Sequence, residues 1–427
     1  MKFLPTTKEE MKSLGWDSID VLLISGDTYL DTSYNGSALV GKWLVEHGFK
    51  VGIIAQPEVD VPDDITRLGE PNLFFAISGG CVDSMVANYT ATKKRRQQDD
   101  FTPGGENNKR PDRAVLVYSN MIRRFFKGTT KKIVISGIES SLRRITHYDY
   151  WTNKLRKPIL FDAKADILSY GMGEMSMLQL ANALKNGEDW QNIRGLCYLS
   201  KEPREDYLSL PSHADCLADK DKFIEAFHTF YLNCDPITAK GLCQKCDDRY
   251  LIQNPPSESY SEEIMDKIYS MEFARDVHPY YKKMGAVRAL DTIKYSVTTH
   301  RGCYGECNFC AIAIHQGRTI MSRSQNSIVE EVKNINDFRS LDDFLKYTLS
   351  YSIFSEKELT EFFKYKKYPV IIRFTYNIAL NKRIIRKSLI EDIGMRREQY
   401  WGFFKITESQ YRKILSMGGV SENLAIH

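Results

Sequence analysis

The chain has 427 residues, enough for two or three domains, and its net charge of +4 is too small to indicate nucleic acid or an anionic membrane as a partner. It has neither an apolar stretch near the ~20 residues of a membrane-spanning helix nor the features of a signal peptide. We therefore expect a cytoplasmic protein whose nine cysteines are reduced and available for metal or cluster ligation.

The first half of the chain alternates strand-like apolar runs with helical patterns. Val21–Ser25 and Val51–Ala55 are apolar runs, and the segment between them, Ser37–Gly48, has helical spacing and ends at a glycine. This βαβ unit predicts a parallel sheet with helices on its faces. A later helix is predicted to begin near Glu174. Four further runs predict strands, at Leu73–Ile77, Ala114–Tyr118, Lys132–Ser136 and Ala165–Tyr170.

Composition and pattern divide the chain into four predicted parts. They are an N-terminal α/β domain (1–188) with a charged, exposed loop (91–113), a connecting region (189–288), the start of a second domain (289–333) and a divergent C-terminal segment (334–427). Ile293–Thr299 has the pattern of a strand that leads into a cysteine cluster. The C-terminal segment is either a genuine extension or the product of a reading-frame disruption, and its loss of strand–helix alternation favours the second.

The cluster of cysteines has the sequence RGCYGECNFC, with Cys303, Cys307 and Cys310 spaced C-x3-C-x2-C. A [4Fe-4S] cluster normally takes four cysteines, so three leave one iron open, as catalytic metal sites do. That iron can chelate the amino and carboxylate groups of S-adenosylmethionine (SAM). Structural zinc is the alternative, with His300 or His315 as a fourth ligand, but the spacing favours the iron–sulfur cluster.

Residues beside the three cysteines suit the same chemistry. Gly302 and Gly305 let the backbone fold closely around inorganic sulfide and direct N–H groups at it. Phe309 could pack beside the adenine of SAM.

A second group of thiols is formed by Cys234, Cys243 and Cys246. A C-x2-C pair can hold zinc or form a redox disulfide. Only three cysteines are close in sequence, so two interpretations stay open: a structural zinc site, or no bound metal. A second iron–sulfur cluster is the less favoured third interpretation.

Many short strings between the N-terminus and about residue 333 resemble the YgiQ family of radical SAM proteins. They include Ser25–Tyr29, Asp100–Gly105, Lys109–Arg113, Gly137–Arg144, His147–Trp151, Asp162–Asp166, Gln253–Pro256, Arg301–Cys310, Gly317–Arg318 and Ser322–Ser324. The resemblance implies an α/β fold: a Rossmann-like, cobalamin-domain-like parallel-sheet domain, then a partial or truncated radical SAM βα barrel. It also implies Cys303, Cys307 and Cys310 as the cluster ligands.

The activity implied by this resemblance is generation of a 5′-deoxyadenosyl radical on an unknown substrate, with a small electron donor of the flavodoxin or ferredoxin type as partner. Cobalamin is not expected, since no Asp-x-His-x-x-Gly motif occurs. The chain after Ile293 is short for a barrel of βα units and lacks a Gly-Gly-Glu-like segment for SAM. A catalytically inactive iron–sulfur or zinc protein is therefore the alternative. A methylthiotransferase acting on RNA is disfavoured, because extra cluster cysteines and an RNA-binding barrel are not evident.

Polar residues follow the predicted strand Lys132–Ser136 at what would be its carboxyl end. Glu139, Arg143, Arg144 and His147 could line a substrate crevice, with the arginines binding an anionic group. A structural network between the two domains would use the same residue types, and both interpretations stay open.

Overall fold

The structure is a computed structural model that describes residues 1–305, 307, 310–335, 355–357, 360, 391–393 and 407–417. The chain divides into two compact units, Met1–Glu331 and Val332–His427. Most of the predicted divergent segment, 334–427, lies outside the described residues. The described positions within it are 334–335, 355–357, 360, 391–393 and 407–417. Within the described part, no helix is long and apolar enough to cross a membrane.

The strands of the described residues all belong to the first unit. In chain order they are β1 Val21–Ser25, β2 Leu30–Asp31, β3 Val51–Ala55, β4 Phe74–Ser78, β5 Lys132–Ser136, β6 His147–Asp149, β7 Lys154–Arg156, β8 Ile167–Ser169, β9 Leu196–Ser200, β10 Leu208–Leu210, β11 Leu242–Cys246, β12 Arg249–Gln253, β13 Asp276–Val277, β14 His300–Arg301 and β15 Met321–Ser322.

The helices alternate with these strands over much of the chain. In chain order they are α1 Lys8–Ser13, α2 Gly36–Glu46, α3 Pro62–Thr66, α4 Ser84–Asn88, α5 Ala114–Phe125, α6 Gly137–Leu142, α7 Ile159–Ala163, α8 Gly173–Asn186, α9 His213–Ala218, α10 Lys220–Leu232, α11 Glu262–Tyr269, α12 Pro279–Lys282, α13 Ala289–Ile293, α14 Ile312–His315, α15 Gln325–Ile335 and α16 Glu408–Met417.

A nine-stranded sheet, in the order β10-β11-β12-β9-β8-β5-β4-β1-β3, forms the centre of the described part of the first unit. The five strands β3, β1, β4, β5 and β8 run parallel. Their order is that of a doubly wound sheet, in which the ligand crevice lies between the carboxyl ends of β1 and β4. The predicted α/β class is thus confirmed, and β9 to β12 extend the sheet with mostly antiparallel pairs.

The sheet is buried on both faces. Val21 and Leu23 of β1 point into one apolar core, while Leu22 and Ile24 point into the other. Side chains alternate across a strand, so a strand covered on both faces needs a continuous apolar run rather than an alternating one. This explains why the apolar run at Val21–Ser25 predicts a strand correctly.

Two predicted strands are wrong. Ala114–Tyr118 is the start of helix α5, whose buried residues recur with helical spacing as far as Ile122. A short apolar run does not by itself distinguish a strand from a buried helix. Ile293–Thr299 is also not a strand: α13 ends at Ile293, and extended pairing begins only at β14.

The charged insertion 91–113 is only partly exposed. Its Lys93–Arg96 cluster faces solvent as predicted, but Asp99 and Arg110 are buried, so the expectation of an exposed loop is wrong there. Arg110 donates through Nε to the carbonyl of Gly26 (3.0 Å) and forms ion pairs with Asp27 and, at 3.0 Å, with Asp99. This buried group lies at the carboxyl end of β1, because Gly26 and Asp27 directly follow that strand.

Candidate functional site

The three cysteines of the C-x3-C-x2-C motif follow β14 on a loop that we call the cluster loop (302–310, described at 302–305, 307 and 310). Strand β14 pairs antiparallel with β15, which closes the loop at its base. The Cys303 amide donates to the Gly317 carbonyl at 3.1 Å, and the Gly302 amide donates to Gln316 Oε1 at 3.2 Å. The first half of the loop is thereby fixed to the returning chain.

The two glycines of the cluster loop are closely packed, and geometry requires a glycine at position 302. Gly302 has φ +85°, and a Cβ there would lie 2.1 Å from the carbonyl oxygen of Thr319. The Gly305 amide points at Cys303 Sγ (3.4 Å), and a Cβ on Gly305 would lie 3.3 Å from that sulfur and 3.8 Å from Cys307 Sγ. The two sulfurs therefore flank Gly305, with a backbone N–H directed at one of them.

The thiols of the cluster loop are more accessible than most of the others. Cys307 is exposed, Cys303 and Cys310 are half-buried, and all nine cysteines are free thiols. Burial raises the pKa of Cys197, by contrast, to about 12, which makes that thiol a poor ligand. Three thiols on one short loop suit the soft ligand set of an iron–sulfur cluster.

Ligation itself remains a prediction. Within the described part of the chain, which omits Glu306, Asn308 and Phe309 from the loop, no three His, Cys, Asp or Glu side chains are grouped closely enough to hold a metal ion. The predicted adenine contact, Phe309, lies outside the described residues.

A buried polar group that the sequence analysis missed lies at the base of the cluster loop. Arg301 Nη1 contacts Glu174 Oε1 at 2.6 Å, and its Nε donates to the Tyr269 hydroxyl at 2.9 Å. Tyr260 donates to the other oxygen of Glu174 at 3.1 Å. Burial alone lowers the pKa of Arg301, but the adjacent Glu174 carboxylate outweighs it and the pKa is raised. The only sequence signal was a charged residue at the start of a predicted helix.

Glu139 and Arg143 lie together after β5, as predicted. Glu139 accepts from the amides of Ser84 (3.0 Å) and Val115 (3.4 Å), and Arg143 forms an ion pair with Asp83. Burial, followed by the nearby Asp83 carboxylate, raises the pKa of Glu139. Both predicted crevice residues therefore have partners within the chain.

Arg144 and His147 point elsewhere. The Arg144 guanidinium is buried over the rings of Tyr170 and Phe230, 4.3 Å from each centroid, and its Nε donates to Gln253 Oε1 at 2.9 Å. His147 Nδ1 lies 3.1 Å from the carbonyl oxygen of Ile145, and burial lowers the pKa of this histidine to about 4. The four predicted crevice residues thus do not converge on one point.

A small cavity separates Arg144 from the segment that follows the cluster loop. Its volume is about 30 Å³, room for little more than a water molecule, and its lining includes Tyr170, Cys234 and His315. His315 Nδ1 lies 3.0 Å from the Ser141 hydroxyl. Burial, with a smaller effect from Arg144, lowers the pKa of His315 to about 4.

The second group of thiols does not converge. Cys243 and Cys246 are three residues apart on β11, so their side chains point to opposite faces of the sheet. Cys243 packs with Tyr198 and Ile252, whereas Cys234 Sγ donates to the Phe230 carbonyl at 3.3 Å. These three cysteines therefore do not form the structural zinc site that the C-x2-C spacing left open.

The chain matches the Radical SAM N-terminal family over residues 3–296, about two thirds of its length. It belongs to the radical SAM N-terminal family. The UPF0313 protein of Fusobacterium nucleatum is 96% identical to this chain over 335 residues, which are 78% of this chain and 59% of that protein. The UPF0313 protein of Thermotoga neapolitana is 49% identical over 334 residues, with the same two coverages, 78% and 59%. The chain thus spans about three fifths of the length of these relatives.

The chain is less similar to solved structures than to these relatives. The radical SAM methyltransferase TsrM from Kitasatospora setae, solved with cobalamin and a [4Fe-4S] cluster, is 15% identical with a TM-score of 0.42 over 75% of this chain and 47% of TsrM. The cobalamin-dependent SAM radical enzyme OxsB gives a TM-score of 0.36 at 14% identity, over 79% of this chain and 33% of OxsB.

Proposed function

We propose that this radical SAM N-terminal protein binds a [4Fe-4S] cluster through Cys303, Cys307 and Cys310 and holds SAM at the open iron. Cluster and SAM together would supply a 5′-deoxyadenosyl radical for a substrate that is not identified. The observation that carries the proposal is the arrangement around Gly305, where two accessible sulfurs lie within 4 Å of the Cβ position and an amide points at one of them. The strings that resemble the YgiQ family support the finer assignment to that family.

The residues of the cluster loop would bind the cluster and fix its position. Gly302 lets the chain turn tightly into the loop, and the Gly305 N–H can hydrogen-bond sulfur, which tunes the cluster. Tyr304, 80% exposed, and Cys307 leave one side of the loop open to solvent. A flavodoxin- or ferredoxin-type electron donor in the cytoplasm could approach on this side, and the free state of all nine cysteines agrees with that compartment.

The proposal contains no cobalamin, for a reason that lies at the carboxyl end of β1. Buried Arg110 and its carboxylate partners lie next to Gly26, directly after β1, and Gly26 packs so closely on Gly79 that a Cβ would lie 2.1 Å from the Gly79 carbonyl oxygen. TsrM and OxsB hold cobalamin, but their overall likeness is too low to extend it to this chain. We therefore include no cobalamin in the proposal.

The test is anaerobic reconstitution of the full chain with iron and sulfide, followed by SAM and dithionite. We expect about four irons per chain, iron–sulfur absorbance and release of 5′-deoxyadenosine, with cluster and product lost in Cys303→Ala, Cys307→Ala and Cys310→Ala. Cys81→Ala, a half-buried thiol outside the loop, is the matched control and should keep both. Zinc in place of iron would contradict the proposal, and a stable cluster without 5′-deoxyadenosine would favour the inactive iron–sulfur protein.

A further inference from the structure

The buried contact between Arg301 and Glu174 joins the cluster loop to the N-terminal sheet. We propose that Arg301 is a positioning residue for the cluster, held by Glu174 so that Cys303 keeps a fixed place and the two charges cancel beside the cluster. This inference rests on the proposed function, because it assigns Arg301 a role toward a group that the cluster loop would hold.

Glu174 is a fixed partner rather than a mobile surface acid. It is 3% exposed and stands in the first turn of α8, directly after β8, where the helix N-terminus favours a carboxylate. The Tyr260 hydroxyl, which donates to Glu174, also lies 3.2 Å from the Met172 carbonyl oxygen. The carboxylate that receives Arg301 is therefore tied to the carboxyl end of a sheet strand.

Arg301 transmits that fixed position over a very short length of chain. It is the last residue of β14, paired with Met321 of β15, and only Gly302 separates it from Cys303. Two residues of extended chain span at most about 7 Å. A shift of the Arg301 backbone, when the guanidinium loses its anchor, would therefore reach the first cluster ligand within two residues.

The surrounding contacts leave Arg301 little freedom to find another partner. Its guanidinium lies over the Tyr269 ring, 5.1 Å from the centroid, and Arg323 lies over the same ring at 4.6 Å. Arg323 is committed to Glu331, and Glu331 also pairs with Arg275. Among the described contacts, Glu174 is the one carboxylate assigned to Arg301.

Removing one partner of the pair should change the charge next to the cluster. Glu174→Gln leaves an uncompensated cation, which stabilises the more negative reduced cluster and raises its reduction potential. Arg301→Gln removes the cation and should shift the potential in the opposite direction. A purely structural role gives no reason for shifts of opposite sign.

The experiment compares the wild-type chain with Glu174→Gln, Arg301→Gln and Asp31→Asn. Asp31 and Lys42 form the matched control pair, which is buried with the charged atoms 2.8 Å apart. The hydrogen bonds of Lys42 go to the carbonyl groups of Met1, Lys2 and Glu272. In the iron-free chains, hydrogen exchange of residues 299–305 should accelerate in the first two variants and not in the control. In reconstituted chains, the iron–sulfur absorbance should decay about tenfold faster under chelator in the same two variants, and redox titration should give the opposite shifts.

The outcomes separate the two proposals. Wild-type chain that takes up no iron would refute the proposed function. Wild-type chain that takes up iron, with both variants retaining it equally well at an unchanged potential, would refute the positioning role alone. Equal losses in Asp31→Asn would also refute it, since they would trace the effect to general destabilisation.

Discussion

The close approach of Gly302 to Thr319 predicts a large effect for a single added methyl group. In Gly302→Ala the new Cβ would start 2.1 Å from the Thr319 carbonyl oxygen and would have to move about 0.9 Å to reach 3.0 Å, a separation below which Cβ contacts essentially do not occur. The left-handed backbone at φ +85° adds about 1–2 kcal/mol of strain for a non-glycine residue. Overpacking against a backbone atom adds about 1–3 kcal/mol.

Gly317→Ala is the matched control for this prediction. Gly317 has nearly the same backbone conformation, φ +88°, but no non-neighbouring atom of the described residues lies within 4 Å of its Cβ position. It should therefore carry the left-handed strain without the collision. The difference between the variants, about 1–3 kcal/mol, corresponds to roughly a 5- to 150-fold change in the opening equilibrium of the loop.

Hydrogen exchange measures that opening locally, in iron-free protein, at the amides of residues 302–305 and 317–321. We expect exchange in Gly302→Ala to exceed that in Gly317→Ala by this factor, and reconstituted Gly302→Ala to lose its cluster faster under chelator. Equal exchange and equal cluster retention in the two variants would show that the Thr319 contact does not constrain the loop.

Two further predictions concern buried ionisable side chains. Arg110→Met would leave the Asp27 and Asp99 carboxylates buried without their cation, so we expect a loss of about 3–5 kcal/mol in urea unfolding; Arg95→Met, at an exposed pair with Asp112, should change it by less than about 1 kcal/mol. His315 has a folded-state pKa lowered to about 4, so the unfolded chain binds the extra proton between that value and about 6.5. Stability should therefore be present above about pH 6.5 and fall as the pH drops toward 4, and His315→Gln should flatten that part of the unfolding profile. An unchanged slope would contradict the assignment of this proton to His315.

Much of the N-terminal fold is predictable because its strands are local patterns. Val21–Ser25 and Val51–Ala55 are recognisable since a strand buried on both faces must be apolar at each position. The same logic fails at Ala114–Tyr118, where the apolar run belongs to a helix packed on the sheet. Length and flanking residues decide between the two, and both are ambiguous over five residues.

In the candidate site, too, local sequence patterns predict some features and miss others. The cysteine spacing is local, so the cluster loop can be recognised from sequence alone. The pairing of Arg301 with Glu174 joins residues 127 positions apart, and no periodicity links them. Arg110 shows the converse error: a charge-rich string suggests solvent exposure, whereas two carboxylates provided by the fold make burial of this arginine tolerable.

The position of Cys243 and Cys246 on a single strand has a consequence for oxidation of the protein. A disulfide needs Cα atoms within about 7 Å, whereas three residues of extended strand separate them by about 10 Å. Because β11 lies between β10 and β12, shortening that separation would require the strand to leave the sheet. The C-x2-C pair is thus protected from acting as a thiol switch, and mild oxidants or alkylating agents should react first with the accessible sulfurs of Cys303, Cys307 and Cys310.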